Sequence, residues 1–130
     1  MRVSLILLFL AALASCGSQD DLELTGVDWV VDYYTENGEQ TVSPDVNYIL
    51  NMNTSDYSFR MDVNTCFGTF TTSNKSQITY SSAGCTEICC DTEIAEKALE
   101  LISTAEEYKI EGIELTLSGP KGEILLFTNQ

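Results

Sequence analysis

Histidine is absent from this 130-residue chain, and only six lysines and arginines stand against 20 aspartates and glutamates. Without an imidazole there is no Ser-His-Asp triad, no histidine base and no histidine metal ligand. The shortage of bases excludes a second class. A formal net charge of −14 repels phosphate backbones, so nucleic-acid binding is set aside. Proline occurs twice and tryptophan once. Phosphate-binding loops and the GxSxG nucleophile elbow are missing too, and the glycines fall in turn-like stretches. There is no internal repeat and no low-complexity tract. No apolar run reaches the roughly 20 residues a bilayer-spanning helix needs.

Apolar residues make up 44% of the chain and charged residues 20%, the balance of a single globular domain with one core. The longest apolar run covers residues 3–14, behind the positive charge of Arg2, and has the length of a signal-peptide core. It ends in Leu13-Ala14-Ser15-Cys16, which resembles the lipobox of bacterial lipoproteins: small residues before the cleavage point and a nucleophilic sulfur at it. The expected organisation is a lipoprotein signal peptide over 1–15, a lipidated Cys16 with an acidic tether over 16–23, and one domain over 24–130. All the acids lie beyond Cys16, so the mature chain carries 20 acids against five bases, a formal charge of −15. That field keeps the domain soluble and monomeric. Acyl chains contribute about 0.8 kcal/mol per buried CH₂, so two or three of them hold a protein stably on a membrane. The expected place is therefore the bacterial cell envelope, on the outer membrane. Ser18-Gln19-Asp20-Asp21 resembles the acidic surface-export signal of some Bacteroidota lipoproteins, and a periplasm-facing position is the alternative.

Beyond the tether, period-2 alternation dominates. Val27, Trp29, Val31 and Tyr33 place one face of a strand over 24–34, and 35–45 reads as a polar loop with turn signals at Asn37-Gly38 and Ser43-Pro44. A hairpin follows. Val46, Tyr48, Leu50 and Met52 line one strand, and Tyr57, Phe59, Met61 and Val63 line its partner. A second hairpin turns at 73–76, with Gly68 marking a bulge or a close backbone approach. Asp91 or Thr92 is a helix N-cap, and Ile94, Ala98, Leu101, Ile102 and Ala105 form one stripe of a helix reaching about residue 107. Ile113, Leu115 and Leu117, then residues 124–127, form a closing hairpin. Strands, one helix and a hairpin predict an α+β fold, a curved and mainly antiparallel β-sheet with a single helix packed on it.

Several of these residues carry a family resemblance. Thr25-Gly26 and Trp29, then Asn64 with Gly68-Thr69-Phe70, then Thr86-Glu87-Ile88-Cys89 and the closing Gly122-Glu123-Ile124-Leu125-Leu126-Phe127 stand in the order and spacing of the META domain. The chain resembles the HslJ-type small envelope proteins of that family over nearly all of its mature length. The resemblance implies a compact curved sheet with one helix, and a family with heat-inducible and antibiotic-tolerance members that no enzyme activity defines. Cys66 departs from the family pattern and, with Cys85 and Cys90, indicates a cysteine-rich branch.

Lipidation of Cys16 leaves four cysteines, an even set: Cys66, Cys85, Cys89 and Cys90. Structural disulfides are the expectation, with a thiolate metal site or a redox pair as the alternatives. One of the three pairings joins adjacent Cys89 and Cys90, which is uncommon. The other two are Cys66–Cys89 with Cys85–Cys90, and Cys66–Cys90 with Cys85–Cys89. The first is preferred, because C-x-x-x-C in a helical turn closes poorly. Zinc sites usually contain C-x₂₋₄-C pairs, and here one pair has three intervening residues while Cys66 stands alone. A thioredoxin-like site wants C-x-x-C at a helix start within a βαβ unit, and the chain has neither.

Carboxylate pairs such as Asp20-Asp21 and Glu106-Glu107 read as tether and surface charge, and no pair is selected for hydrolysis. Asp45, Asp56 and Asp62 lack the spacing of a calcium loop. Trp29, Tyr33, Tyr34, Tyr48, Tyr57 and Phe59 read as core and cross-strand pairs. The expectation is a non-catalytic, lipid-anchored envelope protein without cofactor or metal, serving as a binding or stress-tolerance accessory. Its partners are the membrane, through Cys16, and another envelope protein. The alternative is a lipoprotein that binds a small ligand or metal on its curved sheet or cysteine cluster.

Overall fold

The computed structural model describes residues 22–43 and 47–129, so the expected signal peptide, Cys16, nearly all of the tether, and Pro44, Asp45 and Val46 lie outside the described residues. Within them the elements are β1 (Asp28–Glu36), β2 (Glu39–Val42), β3 (Ile49–Met52), β4 (Asp56–Arg60), β5 (Thr65–Ser73), β6 (Gln77–Tyr80), β7 (Gly84–Cys85), α1 (Glu93–Ser103), β8 (Glu107–Glu111), β9 (Glu114–Gly119) and β10 (Gly122–Phe127). The three expected hairpins form: β3 with β4, β5 with β6, and β9 with β10.

The expected open α+β sheet is not what the chain builds. β1 pairs β3 along one edge, Trp29 opposite Leu50, and β10 along the other, Val30 opposite Phe127. The ladder β1-β3-β4-β5-β6-β8-β9-β10 therefore returns to β1, and every pairing in it is antiparallel. Among the described residues this is a closed eight-stranded barrel, mostly β, with β2 and β7 as extra strands and one 11-residue helix. Closure removes both sheet edges, which is the physical gain over an open sheet. At eight strands a barrel interior is just wide enough for side chains to fill it. Trp29, Tyr48, Leu50, Met52, Phe59, Leu115, Leu117, Ile124 and Leu126 do so, all with 0% exposure.

A bulge between Val31 and Tyr33 lets β1 turn the barrel corner, and it changes which side chains face inward. Trp29 and Val31 point in as expected, but the extra residue sends Tyr34 rather than Tyr33 into the core. The polar loop read over 35–45 contains β2. Asn37 and Gly38 have φ of 51° and 80°, the two positive values a tight type I′ hairpin requires, and Glu36 pairs Glu39 across them. The helix is also shorter than its stripe suggested. It ends at Ser103, and residues 107–111 form β8 against β9.

Strand directions place the chain ends together. Gly26 N–H donates to Met52 C=O and Thr128 N–H to Ile113 C=O, so the described chain enters and leaves at one pole. The 61–64 turn, the β1–β2 hairpin and the β9–β10 turn lie at the other. Helix α1 crosses that second mouth. At its start Thr92 Oγ1 lies 3.1 Å from Tyr48 Oη, midway Lys97 Nζ meets Glu36 Oε1 at 2.5 Å, and at its end Leu101 packs on Gly122. Ala95, Ala98, Leu101 and Ile102 close the core from above. Lys97 pairs with Glu36 of β1 and with Glu100 one turn on in the helix.

Candidate functional site

The densest polar grouping lies at the helix pole, where the β4–β5 turn meets the segment leading into α1. Asn64 is its centre, only 8% exposed. Its Nδ2 donates to Ile88 C=O and to Asp91 Oδ2, both at 2.5 Å. Its Oδ1 accepts from Thr86 Oγ1 and from Ile88 N–H, both at 2.8 Å. Asp91 also accepts from the N–H groups of Val63 and Asn64 at 2.9 and 3.2 Å. Thr86 closes the circuit by accepting from Thr65 N–H at 3.1 Å.

A second circuit adjoins it at the helix start. Asp62 Oδ2 accepts from Thr92 N–H and Thr92 Oγ1, both at 2.9 Å, and Asp62 Oδ1 accepts from the Tyr48 hydroxyl at 2.9 Å. Thr92 is the N-cap, its Oγ1 accepting from Ala95 N–H at 3.3 Å. Asp91, the other N-cap candidate, serves the turn instead. Partial burial pushes both carboxyls up. The Thr92 donors and the Tyr48 hydroxyl outweigh it at Asp62, and the Val63 and Asn64 donors outweigh it at Asp91, so both titrate below the usual range. Burial and then the neighbouring Asp62 push the Tyr48 hydroxyl up, against the opposing Thr92 bond. At neutral pH this arrangement is two fixed carboxylates surrounded by donors, with a neutral phenol: it holds backbone in place and has no group poised to give or take a proton.

Gly68 answers a packing demand rather than a turn. A Cβ there would lie 2.6 Å from Tyr57 Cε1 and 2.8 Å from Ser81 Oγ, so the close approach at this position is made by side chains and not by the backbone the sequence suggested. Tyr57 is 2% exposed and stands edge-on to Tyr80 at 5.0 Å between ring centres.

The cysteines do not pair as preferred. Cys66 and Cys85 face each other across β5 and β7 with Cα atoms 4.0 Å apart and are bonded, and Cys89 is bonded to Cys90. The physical reason is β7. This two-residue strand brings Cys85 into register with Cys66, and nothing in the alternation of residues 77–83 announced it. Cys66 is fully buried, whereas Cys85, Cys89 and Cys90 are exposed. A bridge of sequence separation 19 contributes about 3 kcal/mol by restricting the unfolded chain.

Among the described residues, shallow clefts open to solvent include two with charged walls. One, of about 380 Å³, lies below the polar circuits with Asn47, Arg60 and Asp62 in its wall. The other, of about 490 Å³, lies outside β8–β10 between Glu107, Lys109, Glu111 and Glu123. Among the described residues no group of three or more histidines, cysteines or acids is arranged to hold a metal, and no helix is long and apolar enough to cross a membrane. Sequence reasoning read Tyr48 as core and set Asp62 aside as a calcium ligand, and it missed the bond that joins them. The resemblance had, however, singled out Asn64 and Thr86, which bond to each other.

A META domain family model matches residues 22–130. Two solved structures are similar in fold. An NMR structure of a protein from Burkholderia xenovorans aligns with a TM-score of 0.63 at 17% identity, covering 81% of this chain and 82% of that one. A second NMR structure aligns with a TM-score of 0.58 at 16% identity, covering 78% of this chain and 88% of that one. No curated protein matches the chain.

Proposed function

The chain belongs to the META-domain family, and on that premise we propose that it is a non-catalytic accessory of the bacterial cell envelope, lipid-anchored through Cys16 and acting in stress tolerance by binding another envelope component. The observation that carries the non-catalytic reading is the helix-pole network. The carboxylates Asp62 and Asp91 are spent on backbone and side-chain donors that hold the fold, which leaves them no role as nucleophile or base. A ligand on the concave side of an open sheet has no place here, since that side is the filled interior of a closed barrel.

The strand directions add an orientation. Residue 22 is the first described residue and the chain enters at that pole, which supports a reading in which the Cys16 anchor holds this pole toward the membrane. On that reading the mouth covered by α1 is left for the partner, and the exposed Val63 and Ile88 beside it support this choice.

A survival assay tests the reading. In a strain deleted for the gene, the full chain is expected to restore survival after heat or antibiotic challenge and to incorporate a clickable fatty acid, and Cys16→Ser to do neither. Equal rescue by Cys16→Ser would remove the anchored reading. Survival that needs Asp62 or Asp91 in variants that remain folded would remove the non-catalytic one.

A further inference from the structure

Cys89–Cys90 contributes nothing as a staple. Two adjacent residues enclose almost no chain, so their bond restricts the unfolded state very little, in contrast to Cys66–Cys85. It is also exposed at both residues. The backbone on either side is held independently of it. Ile88 is fixed by N–H and C=O bonds to Asn64, and Asp91 by bonds from Val63 and Asn64. The bond can therefore open without releasing the helix start.

We propose that Cys89–Cys90 is a thiol–disulfide exchange site, reversibly reduced by an uncharged or cationic dithiol while Cys66–Cys85 stays closed. A donor thiolate attacks Sγ of one cysteine and forms a mixed disulfide, and the other cysteine leaves as a thiolate that takes up a proton. The donor's second thiolate then attacks the mixed disulfide, frees the second cysteine and departs as the donor's own disulfide. Two electrons and two protons pass from donor to protein. At Cys66–Cys85 the same attack is disfavoured. The Cys66 sulfur lies in the core, closed to an incoming thiolate, and attack at Cys85 would expel a thiolate into an apolar interior. Glu87, Asp91 and Glu93 flank the exchange site, so an anionic thiol such as glutathione is repelled and an uncharged dithiol is not.

The test uses the full chain purified from a bacterial envelope in detergent, equilibrated with graded dithiothreitol, trapped with N-ethylmaleimide and mapped by peptide mass. Cys89 and Cys90 are expected to become labelled at a dithiothreitol concentration at least tenfold below that needed for Cys66 and Cys85, with the melting temperature unchanged. At that point the protein should take up one phenylarsine oxide per chain, a probe of neighbouring thiols. Glutathione should react more slowly than dithiothreitol, with the gap narrowing as salt is added. A Cys89→Ser/Cys90→Ser variant should lose the early step and keep its melting temperature. The proposal is overturned if Cys66 and Cys85 open first or together with them, if labelling appears only as the protein melts, or if mapping joins Cys66 to Cys89 or Cys90.

Discussion

Asn64 uses both Nδ2 protons and both Oδ1 lone pairs within the protein, and each substitution should fail in its own way. Asn64→Ala strands the Ile88 backbone groups and should cost about 2 kcal/mol at any pH. Asn64→Asp places a second carboxylate against Asp91, so its cost should be larger at pH 7, about 3 kcal/mol, and should shrink near about pH 5 as the pair takes up a proton. Urea midpoints at the two pH values separate these outcomes, and a flat response of Asn64→Asp would sink the charge argument. At Gly68 the demand is space. Gly68→Ala drives a methyl into the ring of buried Tyr57 and should destabilise by about 1–3 kcal/mol. Tyr57→Leu should recover part of that loss in the double variant, and strict additivity would show that the ring is not the obstacle.

Among the elements, β6 and β8 form the weakest part of the barrel wall. Only Gln77 and Glu107 are paired residues there, supplemented by bonds from Ile78 N–H to Glu106 C=O and from Tyr108 N–H to Ser76 C=O. Helix α1 touches β6 on one side of this seam and β9 and β10 on the other, so it braces the thin ladder from the mouth. The amides of Ile78 and Tyr108 are expected to exchange with deuterium at least about tenfold faster than those of Leu50 and Phe59 in β3 and β4. Equal protection across the barrel would mean that the wall opens as one unit.

For the molecule as a whole, acid should act through the helix pole. Asp62 and Asp91 titrate below their unfolded values, so the native state binds fewer protons than the unfolded chain near about pH 4. Their contribution is fully present above the unfolded pKa and is lost as pH falls through the lower folded values. Glu100, partly exposed and held at about 2 by Lys121 and then Lys97, acts in the same direction. Stability should therefore fall from about pH 4 downward, and Asp91→Asn should be less stable at pH 7 with a shallower acid dependence. An unchanged acid slope, read from melting temperatures between pH 2 and 6, would place the acid sensitivity elsewhere.

Much of the wall was legible in the sequence. The alternation of Tyr48, Leu50 and Met52 with Tyr57 and Phe59 marked a hairpin and its inner face, the N-cap was narrowed to Asp91 or Thr92, and Asn64, Gly68 and Thr86 stood out through resemblance before their bonds and contacts were known. Those features are local, set by side-chain period and by backbone groups within a few residues. Closure was not local. The pairing of Val30 with Phe127 joins opposite ends of the chain, and periodicity carries no information about which edges meet. The bulge that turned Tyr34 inward, the earlier end of the helix with a strand over 107–111 beyond it, and the partner of Cys66 follow from that closed wall. In each case the neighbour that decided the outcome was distant in sequence and present only once the barrel had formed.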